Sequence, residues 1–152
     1  MGVKKPTEAV EYETMLLGRH VWLSSRTKHT AGSLERSAYI LLSRLELVGM
    51  MSIGELSEAF GLDASTLNRQ TKAMTREGLI ERIPDPEGGI ARKFRLTEDG
   101  SRRLAEARSE MVGGLDKVLA DWSPEEVQNF VDCLRRFNAS IEQIEGRPWP
   151  RP

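Results

Sequence analysis

Apolar residues recur every three or four positions through most of the chain, a spacing that predicts amphipathic helices. This pattern predicts a first helix over residues 7–28, a break at 30–33 and a second helix over 34–47. After residue 97 it predicts two more long helices, one to about Asp121 and one to about residue 145. Ser123-Pro124-Glu125-Glu126 has the residue types that start the last helix, which carries an apolar stripe: Val127, Phe130, Val131, Leu134, Phe137, Ile141 and Ile144.

The segment between these long helices has the residues that begin and end two short helices. In Ser52-Ile53-Gly54-Glu55, the Ser52 hydroxyl can accept from the Glu55 N–H while the Glu55 carboxylate reaches back, which is a capping box. Gly61 predicts the end of this helix, and Asp63 is a favoured N-cap for a second one over 64–77. The side chains predicted to be buried on that second helix are Leu67, Thr71 and Met74.

The period of the pattern changes from helical spacing to alternation at Leu79. Leu79–Ile83 and Arg92–Leu96 are predicted strands, and Pro84–Gly89 is the turn between them. Two short helices followed by a hairpin make a winged helix-turn-helix. We therefore predict a mainly α fold with a small β-hairpin wing. The winged helix-turn-helix spans 52–96, N- and C-terminal dimerisation helices at 7–47 and 97–145 flank it, and a Pro-rich extended tail at 146–152 follows.

Composition places the chain among folded proteins but does not indicate a nucleic-acid partner. The 152 residues are 39% hydrophobic and 30% charged, with a formal net charge of −1. Because the total charge is near zero, any argument for DNA binding depends on where the cations lie. The apolar stripes exceed what one lobe is expected to bury, which favours a homodimer.

The single cysteine, Cys133, excludes a disulfide within the chain and fits a reducing compartment. The N-terminal residues 1–13 are polar and do not resemble a signal peptide. No apolar run approaches the roughly 18 residues that a membrane span needs. We expect a cytoplasmic protein with no membrane partner.

The helix over 64–77 carries the polar and cationic residues that indicate a binding function. Its outward side holds Ser65, Asn68, Arg69, Lys72 and Arg76, with no acidic residue between its two ends. The major groove of B-DNA, about 12 Å wide, admits one helix and distinguishes every base pair. A cationic helix face taken alone is more often plain solvated surface, but the preceding short helix and the following hairpin favour DNA binding.

Each polar side chain of this helix has an expected role. Arg69 can bind a guanine with two hydrogen bonds, and Asn68 can address adenine or a phosphate. Ser65 and Thr66, at the helix N-terminus, can hold a phosphate together with the backbone amides. Lys72 and Arg76 are expected to contact phosphates, which orient the protein without specifying sequence.

The ordered set of motifs resembles the MarR family of bacterial regulators. The motifs are Ser52-Ile53-Gly54-Glu55-Leu56, Phe60-Gly61-Leu62-Asp63, Ser65-Thr66, Arg69, Gly78-Leu79-Ile80-Glu81-Arg82, Pro84-Asp85-Pro86-Glu87 and Arg95-Leu96-Thr97-Glu98-Asp99-Gly100. The resemblance implies a dimer whose first helix and last two helices intertwine, with the recognition helix in the major groove and the wing in the minor groove. Many members are repressors released by lipophilic or phenolic ligands or by thiol oxidation. Ser65, Thr66 and Arg69 match recognition-helix positions.

Two features depart from the family pattern. Family wings usually carry an Asp-Arg pair where this chain has Gly88-Gly89-Ile90, so minor-groove contact is expected to be weaker or relocated, and the glycines allow a tight tip. Arg92 is the expected substitute, with Lys93 beside it on the returning strand. Redox-sensing members have a cysteine near their start, whereas Cys133 lies in the last helix and is expected to be buried and structural.

The first helix offers residues for an effector pocket. Tyr12, Arg19, His20 and Trp22 can provide aromatic walls and a partner for an anionic group, although the same residues also fit dimer packing. His20 and His29 have no cysteine or carboxylate at ligand spacing, so no metal is expected. No phosphate loop, nucleophile elbow or other catalytic arrangement is present in the sequence, which predicts neither a cofactor nor an enzyme.

The sequence therefore predicts a homodimeric, sequence-specific regulator that binds a pseudo-palindromic operator in double-stranded DNA. Repression relieved by a small lipophilic or phenolic effector is the expected mode of action. The alternative is a winged-helix protein-interaction module that binds no DNA, which the near-neutral charge favours. An enzyme that uses the winged helix only for dimerisation would need a large catalytic domain, for which 152 residues leave no room.

Overall fold

The computed structural model describes residues 3–26 and 34–152, with side chains for 3–20 and 34–152. Within these residues the chain is mainly helical with one small sheet, so the predicted fold class is confirmed. The elements are α1 Thr7–Arg26, α2 Arg36–Val48, β1 Met51–Ser52, α3 Ile53–Phe60, α4 Ala64–Arg76, β2 Ile80–Ile83, β3 Lys93–Leu96, α5 Glu98–Val118 and α6 Pro124–Glu145.

The chain divides into two compact units, Met1–Arg36 and Ser37–Pro152. The first contains α1, whose predicted last residues, 27–28, lie outside the described residues, as does the predicted break at 30–33. The second contains all the remaining secondary structure. None of the helices in the described ranges is both long enough and apolar enough to cross a membrane.

The predicted helix ends of α3 and α6 are confirmed by their hydrogen bonds. The Glu55 N–H donates to the Ser52 hydroxyl over 3.2 Å, and the Ser52 N–H donates to the Glu55 carboxylate over 2.8 Å. An equivalent capping box at Ser123 and Glu126 begins α6. Gly61 follows α3 with a left-handed φ of 63°, a conformation that glycine adopts without a steric penalty.

The hairpin prediction is confirmed, but the sheet has a third strand. The order is β1-β3-β2, with both pairs antiparallel. Phe94 of β3 lies opposite Met51 on one side and opposite Arg82 on the other. The sequence pattern did not predict β1 because two residues are too few to show alternation, and only the partner strand defines it.

The core of the second unit lies where α2, α3, α4, the sheet and the start of α5 meet. On α4, Leu67, Thr71 and Met74 are buried, as predicted. The Thr71 hydroxyl donates to the Leu67 carbonyl over 2.8 Å, which satisfies this buried polar group. The side chains with almost no exposure are Leu41, Leu42, Leu45, Leu56, Leu67, Leu79, Ile80 and Leu104.

The far half of α5 and most of the apolar stripe of α6 keep their apolar side chains exposed in the single chain. α5 ends at Val118, three residues before the predicted Asp121. Within the described chain α6 has no buried residue. The large exposed apolar side chains here are Met111, Val112, Leu115, Val118, Trp122, Phe130, Val131, Phe137, Ile141 and Ile144.

In the C-terminal part, one sequence prediction is wrong for the single chain and another did not include the contacts of the tail. Cys133 was expected to be buried but is exposed, because the α6 surface on which it lies has nothing packed against it within the described residues. The tail at 146–152 was predicted to be extended, and residues 147–152 form no helix or strand, but they are not free of the rest of the chain. The tail contacts α2 and α3: the Trp149 and Phe60 rings lie 5.3 Å apart, and the Arg147 Nε donates to the Glu58 carbonyl over 3.2 Å.

Candidate nucleic-acid interface

Asp63 fixes the start of α4. Its carboxylate accepts the Thr66 N–H over 2.7 Å and the Ser65 hydroxyl over 2.8 Å. Hydrogen bonds from Thr66, then from Ser65, and the nearby charge of Arg69 lower the pKa of Asp63 to about 2. The carboxylate is therefore charged at neutral pH and lies at the positive end of the helix.

This cap engages Ser65 and Thr66, whose contact with DNA stays a prediction. The Thr66 amide and the Ser65 hydroxyl already donate to an anionic carboxylate, so they are not free to hold a phosphate at the same point. Thr66 is also half-buried, whereas Ser65 is exposed beside the cationic residues of α4. The structure thus keeps Ser65 on the candidate surface and makes Thr66 part of the cap.

The outward side of α4 forms a continuous polar surface. Residues three, four and seven positions apart on a helix share one face. A shallow groove is lined by Ser65, Asn68, Arg69, Lys72 and Arg76, which we call the α4 face. Arg69, Lys72 and Arg76 are exposed, and within the described part of the chain none of the three forms a salt bridge. The α4 face therefore presents three cations to solvent in a protein of near-zero net charge.

A second groove joins the α4 face to the hairpin and brings in a cation that sequence reasoning missed. It is lined by Asn68, Thr71, Lys72, Thr75, Arg76, Arg82 and Phe94. The Arg82 guanidinium lies 5.9 Å from the centre of the Phe94 ring. The alternation of side chains along β2 was the signal that could have identified it. Arg82 is two residues after the buried Ile80, so it lies on the same face of the strand.

The two wing cations that the sequence proposed for DNA have different environments. Arg92 is exposed and makes no salt bridge among the described residues, so it stays available. Lys93 instead pairs with Glu55 over 3.3 Å, and only 17% of its side chain is exposed. The hydrogen bond that Lys93 donates to the Glu55 carboxylate raises the pKa of Lys93. The structure thus ties Lys93 to Glu55 of α3, and its contact with DNA stays a prediction.

The wing tip is a tight turn, as the glycine pair suggested. The Gly88 N–H donates to the Asp85 carbonyl over 3.1 Å, and the Glu87 N–H donates to the Asp85 carboxylate over 3.0 Å. Gly88 has a φ of 81°, which favours glycine. Ile90 follows with its side chain wholly exposed.

The predicted effector residues lie on α1, in the first unit. Tyr12, Arg19 and His20 are exposed along this helix, and 55% of Tyr12 is accessible. The side chain of Trp22 lies outside the described residues. A pocket built from these residues stays a prediction.

Two short helices, an antiparallel hairpin packed against the second of them and a cationic outer surface define a winged helix-turn-helix protein. Residues 34–88 match the sequence model of the MarR family. The chain is 38% identical over 139 residues to the HTH-type transcriptional regulator YxaD of Bacillus subtilis, covering 91% of this chain and 96% of that protein.

Solved structures have the same fold. A MarR family protein from Bacillus stearothermophilus is 26% identical, with a TM-score of 0.71 over 91% of this chain and 99% of that one. The PcaV transcriptional regulator from Streptomyces coelicolor, solved with its natural ligand, is 22% identical, with a TM-score of 0.69 over 93% of this chain and all of that one.

The chain belongs to the MarR family. The family and the curated relative are transcriptional regulators, so the prediction that this chain is not an enzyme is confirmed. The family assignment also does not favour the alternative of a protein-interaction module.

Proposed function

We propose that this protein is a sequence-specific DNA-binding transcription regulator that places α4 in the major groove. The observation that carries the proposal is the α4 face. Three exposed cations without ion-pair partners in the described chain lie along one side of a helix, with Ser65 and Asn68 at its N-terminal end. An unpaired cationic strip on a folded surface attracts phosphates and releases counterions when it binds them.

The position of each side chain along α4 determines whether it contacts bases or the phosphates of the DNA backbone. Asn68 and Arg69 lie on the second turn, where a helix that enters the groove by its N-terminal half contacts base edges. A two-bond contact from Arg69 to guanine gives about 1–3 kcal/mol of discrimination. Lys72 and Arg76 lie one and two turns further on and contact phosphates. Arg82, on the hairpin beside them, extends this backbone contact toward the wing.

A second copy of the chain covers the exposed apolar side chains of α5 and α6. Several large apolar groups on these helices are 40% or more exposed, among them Leu115, Phe137 and Ile144 at 56%, 45% and 87%. Leaving so many of them in water is unfavourable, at about 25 cal/mol for each Å². A dimer with two-fold symmetry presents two α4 helices to half-sites about one helical turn apart, hence a pseudo-palindromic operator.

We further propose that the protein is a cytoplasmic repressor relieved by a small lipophilic or phenolic effector. Two observations support this: the aromatic and basic side chains on α1, and a protein of the same fold, PcaV, solved with a natural ligand. Occupation of promoter DNA is sufficient for repression and requires no further domain.

Selection from a random duplex library tests the proposal directly. The full-length protein is incubated with the library at moderate salt, and bound duplexes are sequenced over successive rounds. Enrichment of two inverted half-sites supports the proposal, and no enrichment over input contradicts DNA recognition. Light scattering on the same preparation gives the mass: twice the 17.1 kDa of the chain supports the dimer, and a monomer contradicts it.

A further inference from the structure

α5 and α6 form a helical arm whose two ends are both fastened to the winged-helix lobe, residues 51–96. The first fastening is at the start of α5. The Thr97 N–H donates to the Leu79 carbonyl over 3.1 Å, and the Thr97 hydroxyl donates to the Gly78 carbonyl over 2.5 Å. Because α5 begins in direct contact with the lobe, this end of the arm cannot shift by itself.

The second fastening is made by the C-terminal tail, beginning with Arg147. Its Nε donates to the Glu58 carbonyl over 3.2 Å. Glu58 is in the last turn of α3, where backbone carbonyls lack partners within the helix. The guanidinium also lies against Gly61, where a Cβ would come within 2.8 Å of the Arg147 Cζ. Arg147 thus caps α3 from a position immediately after α6.

Trp149 provides the apolar part of this fastening. Its ring centre is 5.3 Å from that of Phe60 on α3 and 4.8 Å from the Arg44 guanidinium carbon on α2. The Arg44 Nε and one of its terminal nitrogens are buried and have no hydrogen-bond partner within the described residues. Burial lowers the pKa of Arg44. The Trp149 ring therefore stacks on a poorly solvated cation, which strengthens a cation–π contact.

Glu142, on the last turns of α6, holds the tail in this path. Its carboxylate accepts the Trp149 N–H over 3.1 Å and two hydrogen bonds from Arg151, at 2.5 and 3.1 Å. Hydrogen bonds from Arg151 lower the pKa of Glu142. The tail is thus bound to α6 at Glu142 and to the lobe at Phe60 and Glu58, so it bridges the two.

We infer that residues 147–151 are a strap that fixes the angle between the α5–α6 arm and the winged-helix lobe, with Trp149 as its central positioning residue. The inference rests on the proposed function, in which the arm holds two subunits together and each lobe carries one α4. The strap then sets the separation of the two α4 helices. Without it, the lobe is held to the arm at the start of α5, while the Arg108–Glu46 ion pair, at 2.7 Å, holds α5 to α2.

Operators with altered half-site spacing test this inference. A general loss of stability would weaken binding to every duplex alike, whereas loss of the strap changes the preference among spacings. Wild type, Trp149→Ala and Trp149→Phe are titrated with duplexes in which the selected half-sites are moved apart or together by one or two base pairs. Trp149→Phe is the matched control, since it keeps an aromatic ring at the position that faces Phe60.

The wild type and Trp149→Phe are expected to bind the natural spacing and to reject the altered ones. Trp149→Ala is expected to bind the natural spacing about tenfold more weakly and to lose most of its preference among spacings. If Trp149→Ala keeps the wild-type preference among spacings, with affinity unchanged or lowered by the same factor on every duplex, the inference is overturned.

A spin-label distance separates failure of the strap from failure of the proposed function, because it needs no DNA. Labels are placed at Lys72→Cys on α4 and Gln128→Cys on α6 in a Cys133→Ser background. The labelled chain is diluted with unlabelled chain, so that only distances within one chain are measured. A narrow distribution that broadens with Trp149→Ala and stays narrow with Trp149→Phe supports the strap even if no operator is found. An unchanged distribution in Trp149→Ala overturns it.

Discussion

The backbone of Gly100 lies directly against the carbonyl group of Leu79. A Cβ built on Gly100 would overlap the Leu79 carbonyl oxygen and lie 2.8 Å from its carbonyl carbon. The same oxygen accepts the Thr97 N–H, so it cannot move aside without losing a hydrogen bond. The first turn of α5 can approach the lobe this closely only because residue 100 has no side chain.

Gly100→Ala is therefore expected to lower the free energy of unfolding by about 2 kcal/mol or more, despite the better helix propensity of alanine. Urea unfolding followed by circular dichroism measures the change. Gly54→Ala is the control, since the nearest heavy atom to a Cβ there is the Ser52 hydroxyl at 3.8 Å. That variant is expected to be neutral or slightly stabilised. Equal stability of the Gly100 variant and the wild type would contradict the close approach.

Local chemistry in the sequence was sufficient to predict the helix ends. Ser52 with Glu55, Asp63 with Thr66, and Ser123 with Glu126 each make the hydrogen bond that their residue types predicted. These contacts span only three residues, so they depend little on the rest of the fold. The hairpin and the buried side of α4 followed from periodicity for the same reason.

Contacts between residues distant in sequence were not predictable in this way. Lys93 pairs with Glu55 across 38 positions, and Arg147 reaches Glu58 across 89. No local period records such pairings, so neither the Lys93–Glu55 ion pair nor the contact of the tail with α3 was predicted. Arg82 was missed because alternation along β2 indicates its face of the strand but not that this face lies beside Lys72 of α4.

The lowered pKa of Asp63 predicts how the free energy of unfolding changes in acid. Its folded pKa, about 2, lies below its ordinary value of 3.8, so the charged cap stabilises the fold above pH of about 4. This stabilisation is lost as the pH falls from about 4 through about 2. Asp63→Asn keeps a capping oxygen but does not titrate. Between pH of about 5 and 2, the wild type is therefore expected to lose more unfolding free energy than Asp63→Asn, and parallel losses would refute this role of the cap.

Arg69 and Lys72 are expected to affect DNA binding differently. Arg69→Ala should weaken binding to the selected operator by about 1–3 kcal/mol and affect shuffled DNA much less, because it removes a base contact. Lys72→Ala should weaken binding to the operator and to shuffled DNA similarly. It should also reduce the slope of log affinity against log salt concentration by about the amount that one phosphate contact contributes. Competition titrations with both duplexes measure this. If Arg69→Ala lowers both affinities equally, Arg69 does not contact bases.

Arg82 and Arg95 are a matched pair on opposite faces of the hairpin. Arg82 lines the groove beside α4, whereas Arg95 pairs with Glu81 over 2.6 Å on the other face. Arg82→Ala is expected to weaken DNA binding severalfold and to make it less salt-dependent, because one phosphate contact is lost. Arg95→Ala removes the same charge and should change affinity little. An equal effect of the two variants would mean that only the total charge matters.

The most direct test of DNA recognition by the α4 face is a salt series of anisotropy titrations with the wild-type protein. Each titration compares the selected duplex with a shuffled duplex of equal length. We expect the selected duplex to bind at least about a thousandfold more tightly at physiological salt. We also expect both affinities to fall linearly on a log–log plot against salt concentration. Equal affinity for the two duplexes at every salt concentration would contradict sequence recognition by the α4 face.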